Sequence, residues 1–180
     1  SEIICFQNSY HGSTHGALSV MGNEEYKQSF RPLLPDVTQL EFNNFSQLNQ
    51  ITNKTACVII EPIQGEAGVV VPDDGYLKAA FDLCQSNRVL FIADEIQTGI
   101  ARTGKLLACD HINIRPDILI LGKALSGGVL PVSAVLADRF GRRMVLVIIS
   151  VGIAIFGLFF SSLLGSGNTT LITLFLCMGM

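Results

Sequence analysis

Two residues of this 180-residue chain stand where open α/β folds do their chemistry. An apolar run, Val89-Leu90-Phe91-Ile92-Ala93, ends on Asp94-Glu95-Ile96-Gln97-Thr98-Gly99. A second, Ile118-Leu119-Ile120-Leu121, ends on Gly122-Lys123-Ala124-Leu125-Ser126-Gly127-Gly128. Each run has strand length and gives way at once to polar, loop-like residues. A carboxylate and a lysine are thereby delivered to the C-terminal ends of two buried strands, the sheet edge at which ligands sit. That pair suits a pyridoxal phosphate site, with Lys123 as the Schiff-base lysine and Asp94 as the partner of the pyridinium nitrogen. The same residues also read as a helix-capping aspartate and a solvated loop lysine, because charges at strand ends are common. Spacing alone leaves both readings open.

The elements that must position this pair follow from apolar periodicity. Strands are expected over residues 3–6, 56–60, 89–93, 118–121 and 132–137, and the run 56–60 also closes on a carboxylate, Glu61. Residues 74–87 alternate at helical period, with Leu77, Ala80, Phe81 and Cys84 on one face. A polar helix is expected over 46–54, with Ser46 as N-cap. Residues 10–16 are punctuated by Gly12 and Gly16, which disfavours a helix carrying His11 and His15 on one face. The segment 31–36, with Pro32 and Pro35, reads as a rigid connector. Strands alternating with helical connectors predict an α/β architecture with a mainly parallel sheet.

Composition narrows the function classes. A formal net charge of −3 gives no reason to expect nucleic acid as a partner. Cys5, Cys57, Cys84, Cys109 and Cys177 form no C-x-x-C pair and read as reduced, mostly buried thiols of a cytosolic protein. His11, His15 and His111 show no metal-ligand pattern, so no metal site is expected. The start carries no signal-peptide pattern.

Four blocks, in order, resemble the class III aminotransferases of the ornithine and acetylornithine type, enzymes of pyridoxal phosphate fold type I. They are Tyr10-His11-Gly12 with Thr14 and Gly16; Glu61-Pro62-Ile63-Gln64-Gly65-Glu66-Ala67-Gly68; residues 94–99 with Ala101-Arg102-Thr103-Gly104; and Leu121-Gly122-Lys123-Ala124-Leu125-Ser126-Gly127-Gly128. The resemblance implies a partial fold type I large domain over residues 1–138. It implies pyridoxal 5′-phosphate as cofactor, an amino acid and a 2-oxo acid as substrates, and a homodimer. It also implies roles: Lys123 for covalent attachment and proton transfer, and Asp94 for the pyridine nitrogen. Gln97 falls to the ring's 3-hydroxyl oxygen, Tyr10 to the ring face, and Glu66 to the substrate pocket, with Glu61 a structural carboxylate. Ser13 stands where the first block ordinarily carries arginine, which leaves the substrate within the class open. The likeness covers the middle of the family's large domain without its phosphate cradle or its substrate-carboxylate arginine, so a fragment with little activity of its own is expected.

Beyond residue 138 the pattern changes. No charged residue follows Arg143, and residues 144–164 are long and apolar enough to span a bilayer, with residues 169–180 starting a second, shorter span. Arg139, Arg142 and Arg143 flank the first span, which keeps the N-terminal part on the cytoplasmic side. Leu136-Ala137-Asp138-Arg139-Phe140-Gly141-Arg142-Arg143 resembles the cytoplasmic signature loop of major facilitator superfamily transporters. A division is therefore expected between a cytoplasmic aminotransferase-like part, residues 1–138, and a transporter-like membrane segment, residues 139–180, with 134–138 fitting both. Such a chain would be a chimera, or alternatively a transporter fragment.

Overall fold

A computed structural model of the chain describes residues 1–127 and 132–137. Six strands form one sheet: β1 (Glu2–Phe6), β2 (Val37–Leu40), β3 (Thr55–Ile60), β4 (Leu90–Asp94), β5 (Ile118–Leu121) and β6 (Ala134–Ala137). Their order is β2-β1-β3-β4-β5-β6. The first five run parallel, while β6 lies antiparallel on β5, with Ile118 opposite Ala137 and Leu121 opposite Ala134. The α/β architecture with a mainly parallel sheet is as expected. Because the order doubles back at β1, a crevice opens beyond the carboxyl ends of β1 and β3, the switch point at which such sheets hold ligands.

The central strands are apolar on both faces because parallel strands are covered on both sides. Ile4, Cys5, Phe6, Val58, Ile60, Phe91, Ala93, Leu119 and Leu121 are all buried. Each large apolar side chain among them contributes about 1.5–3 kcal/mol of transfer free energy. Burial pushes the thiols of Cys5 and Cys84 up to about 12, which leaves them protonated and unreactive at neutral pH.

Three α-helices accompany the sheet: α1 (His15–Val20), α2 (Glu24–Lys27) and α3 (Tyr76–Asn87). Helix α3 begins two residues later than the periodicity suggests, because Gly75 takes φ +82° and holds the chain out of the helix until Tyr76. It buries Tyr76, Leu77, Ala80 and Cys84, while Phe81 is half-buried with its ring edge-on to Phe91 at 5.4 Å. The helix expected over 46–54 is instead a 3-10 turn, Phe45–Gln50. Its cap is Asn44, whose Oδ1 accepts from the Ser46 N–H at 3.1 Å and from the Ser46 hydroxyl at 2.6 Å. Ser46 spends its hydroxyl on Asn44, and Ile51 turns extended, so no longer helix propagates.

Strand β2 was not signalled by any apolar run. Val-Thr-Gln-Leu is short and only Leu40 is fully buried, which fits a strand at the sheet edge. Residues 134–137, claimed by the transporter resemblance, are strand β6 of this sheet. Chain contacts group Ser1–Asp138 into one compact unit. No helix among the described residues is long and apolar enough to cross a membrane. The expected spans at 144–164 and 169–180 lie outside the described residues.

Candidate active site

The side chains singled out by the sequence meet at one sheet edge. Tyr10 and His11 follow β1, Glu61 and Glu66 follow β3, Asp94 and Gln97 follow β4, and Lys123 follows β5. With Gly12 and Ile96 they line one cleft of about 400 Å³, open solvent included.

Asp94 ends β4 on the cleft floor with 3% of its side chain exposed. One of its oxygens, Oδ1, accepts from the Ile96 N–H at 3.2 Å, and the other, Oδ2, lies 2.8 Å from Nδ1 of His11. An ionised carboxylate only accepts, so Nδ1 carries the proton of that bond. His11 was set aside in the sequence as lacking any ligand pattern, and its pairing with Asp94 across 83 residues has no local signature. The one available cue was chemical, since a buried aspartate requires a donor. Nε2 of His11 is buried without a partner.

Glu61 closes β3 and ties two loops together. Its Oε1 accepts from the Tyr10 N–H at 2.8 Å and its Oε2 from the Gly65 N–H at 3.0 Å. The Tyr10 loop and the loop leading to Glu66 are thus anchored to one carboxylate. Burial raises the pKa of Glu61 above the usual glutamate range, against the two backbone bonds and His11, which lower it. In the window just above the ordinary glutamate value the folded state therefore holds more proton than the unfolded chain. Stability contributed by this group is full below that window and is lost as pH rises through the raised value. Urea titrations at stepped pH are expected to show this decline in the native chain and to lose it in Glu61→Gln. That variant is also less stable throughout, by about 1–3 kcal/mol, because its amide nitrogen cannot accept from one of the two N–H groups.

Lys123 starts a 3-10 turn, Lys123–Ser126, directly after β5. Its φ of +40° lies in the left-handed region, which stores about 1–3 kcal/mol in a residue with a β-carbon. Gly122 before it packs against Ile96, where an added β-carbon would lie 3.2 Å from Cγ2. The Lys123 ammonium donates to Oε1 of Gln97 and stands 3.5 Å from Oε1 of Glu66. Lys123 is 43% exposed and Glu66 56%, so this pair sits at the mouth of the cleft, whereas Asp94 and His11 form its floor. Tyr10 lines the cleft with its ring edge-on to Tyr26, centroids 6.3 Å apart.

Gly65 lets the Glu66 loop approach Gln97 closely. A β-carbon there would lie 2.6 Å from Cγ of Gln97 and 3.2 Å from Cδ. Gly65→Ala is expected to push Gln97 off Lys123 at a stability loss of about 1–3 kcal/mol. Its signature is altered Gln97 side-chain amide resonances in a chain whose circular dichroism is unchanged.

Glu95, adjacent to Asp94 and assigned no part by the sequence, faces away from the cleft. Its carboxylate is fully buried and accepts from the Thr98 hydroxyl at 3.0 Å, the Ala108 N–H at 2.7 Å and the Cys109 N–H at 2.9 Å. Asp94 and Glu95 thus divide one dipeptide between the cleft and the scaffold. Among the described residues no three His, Cys, Asp or Glu side chains gather to hold a metal.

The cleft lies at the carboxyl edge of a mainly parallel sheet, with an aspartate on its floor and a lysine at its mouth. Residues 1–146 match the family described as Aminotransferase class-III, and the chain belongs to that family. The match takes in the whole stretch 136–143 quoted for the transporter resemblance. Over 140 residues the chain is 51% identical to the ornithine aminotransferase of Bacillus cereus (strain 03BB102), covering 77% of this chain and 35% of that relative. The crystal structure of ornithine aminotransferase from Toxoplasma gondii ME49 superposes with a TM-score of 0.73 at 45% identity, over 76% of this chain and 33% of that one. A second structure of a Toxoplasma gondii ornithine aminotransferase, crystallised in the presence of oxidised glutathione, is described as having partial occupancy of PLP at its active site. The chain therefore spans about a third of the length of the relatives it matches.

Proposed function

We propose that this chain is the cofactor-holding part of an enzyme that transfers an amino group from ornithine or acetylornithine to a 2-oxo acid, with pyridoxal phosphate as cofactor. The observation that carries the reading is the shared cleft of Asp94 and Lys123, floor and mouth, at the sheet's switch-point edge. The residues fit the group. A buried carboxylate with a fixed donor behind it suits a protonated ring nitrogen. When bound, pyridoxal phosphate supplies a sink for the electron pair left on the donor's carbon as a proton departs.

The chain's own residues do the rest. His11 holds Asp94 by one oxygen, so the carboxylate keeps a fixed orientation. Gln97 would hold the ring's oxygen substituent through its amide, and Tyr10 would wall the ring; both line the cleft. Lys123 takes up and returns a proton at Nζ, and Gln97 Oε1 orients that ammonium. Glu66, 3.5 Å from Lys123, presents a carboxylate at the mouth to the cationic part of an amino donor. That the similar proteins are named ornithine aminotransferases supports ornithine over acetylornithine as the donor.

The assembly proposed with this activity is a homodimer, supported by the exposed apolar Tyr26, Phe30, Val69 and Val71. The compartment proposed is the cytoplasm. Two observations support reading residues 134–146 with the aminotransferase rather than with a transporter: β6 pairs with β5, and the family match runs through residue 146. A joined transporter-like segment is thereby confined to the residues that follow, and sequencing the source DNA across 134–160 tests whether the join exists.

The function is tested by incubating the full chain with pyridoxal phosphate, δ-¹⁵N-ornithine and 2-oxoglutarate. Label is expected in glutamate, slowly, and with less from acetylornithine. Unlabelled glutamate with both donors overturns the assignment.

A further inference from the structure

Lys123 divides two recesses. On one side is the cleft just described. On the other, Lys123 lines a second, open recess, about 700 Å³ with open solvent included, together with Arg102, Ala124 and Gly127. Two cations share this recess, and no carboxylate lines it among the described residues. Lys123 is engaged from the first side, by Gln97 and Glu66. Among the described residues Arg102 has no ion-pair partner, and its contact is an Nη1–H donated to the Gln97 carbonyl at 3.4 Å.

The placement of Arg102 is set by an unusual backbone. Ile100 and Ala101 before it take φ of +58° and +65°, consecutive left-handed residues of which the first is β-branched. That conformation is disfavoured for both residues and persists only where the surroundings hold it. It is held by Gly99, whose N–H donates to the Glu95 carbonyl at 2.8 Å, and by the Ala101 N–H bonded to the Leu106 carbonyl at 3.2 Å. A β-carbon on Gly99 would lie 2.7 Å from the Glu95 carbonyl oxygen and 2.8 Å from Cδ2 of Leu121, so the turn is pressed against the roots of β4 and β5. The strained turn and the hook onto Gln97 hold Arg102 at the recess that Lys123 also lines.

We propose that Arg102 and Lys123 form an oxyanion subsite beside the cofactor cleft. A guanidinium donates two parallel N–H bonds to two oxygens of one carboxylate or phosphate, and a neighbouring ammonium adds a point charge. Both partners implied by the proposed function carry such groups: the amino and 2-oxo acids a carboxylate, the cofactor a phosphate. The inference rests on that reading for the identity of the anion, and the subsite itself rests on the recess.

The test reads protection of the Lys123 amine from trinitrobenzenesulfonate in the full chain, by peptide mass spectrometry, with inorganic phosphate and 2-oxoglutarate as separate probes. Arg102→Gln and Arg102→Lys are compared with the native chain and with Arg88→Gln, an arginine remote from the recess. Protection is expected in the native chain and in Arg88→Gln. In Arg102→Gln it weakens by about tenfold or more, the worth of one charge-assisted pair, with partial recovery in Arg102→Lys. Loss confined to phosphate assigns the subsite to the cofactor, and loss confined to 2-oxoglutarate assigns it to substrate. Equal protection in native and Arg102→Gln, or none in the native chain, overturns the subsite. This readout needs neither bound cofactor nor turnover, so it stands if the ¹⁵N transfer fails, and the transfer reading stands if Arg102 proves inert.

Discussion

Lys123→Ala is expected to abolish the one-to-one borohydride-fixed adduct of pyridoxal phosphate with this chain, and to lower amino-group transfer by about 10²–10⁴-fold or more. The geometry singles out this lysine. Of the residues lining the cleft it is the one amine, set on a left-handed residue after β5 and held by Gln97 and Glu66. Other described lysines are placed elsewhere. Lys27 is buried with its ammonium on the Met21 carbonyl at 2.9 Å, Lys78 pairs with Asp82, and Lys105 donates to the Asp110 carbonyl at 3.1 Å. Pyridoxal phosphate also reacts with exposed amines, so the discriminating measurement is made at substoichiometric cofactor, with the adduct located by peptide mass spectrometry. The native chain is expected to carry it on Lys123, and the variant to show only scattered surface labelling. An equal, localised adduct in both proteins removes Lys123 from the role. Asp94→Asn provides the second arm. It keeps the amine, so the adduct forms, while the carboxylate charge proposed to partner the ring nitrogen is gone and transfer is expected to fall.

How far the sequence reached depends on whether the determining contact is local. Strands β3, β4 and β5 were legible because burial on both faces writes them as continuous apolar runs, and their ends were legible because each stops on a polar residue: Glu61, the Asp94-Glu95 pair, Gly122-Lys123. Strand β2 was not, since an edge strand with one fully buried residue leaves no such run. The helix expected over 46–54 failed for a local reason that composition conceals, because Asn44 and Ser46 satisfy each other instead of extending a helix. Within the site, the types that do chemistry were visible: lysine, aspartate, glutamine, tyrosine and glutamate. The contacts that hold them were not. His11 reaches Asp94 across 83 residues, and Tyr10 reaches Glu61 through a backbone N–H that no side-chain pattern reports. Glu95 shows the limit most clearly. In the chain it is one of two adjacent acids, and only the fold decides which of them faces the cleft.

That division predicts the largest stability effect in the molecule. Glu95→Ala is expected to destabilise the chain by roughly 3–5 kcal/mol, since it removes the acceptor for the buried Ala108 and Cys109 N–H groups at about 1–3 kcal/mol each and leaves a cavity besides. At this size each kcal/mol corresponds to about 2–4 °C in melting temperature, so the loss is readable by calorimetry. Glu95→Gln keeps one acceptor oxygen and is expected to fall between Ala and the native chain. Thr98→Val removes a single donor and loses least. The effect has a direction in space. Leu107, Ala108 and Cys109 are buried only while the 3-10 turn Ala108–His111 is docked on Glu95, and hydrogen exchange is expected to rise there and through the 99–106 loop first. Asp94 is covalently next to Glu95 but is held by separate partners, His11 and the Ile96 N–H, so the adduct on Lys123 survives in Glu95→Gln at temperatures below melting. A melting temperature within about 1 °C of native for Glu95→Ala means that water or a shifted backbone replaces the carboxylate, and the clamp assignment is then wrong.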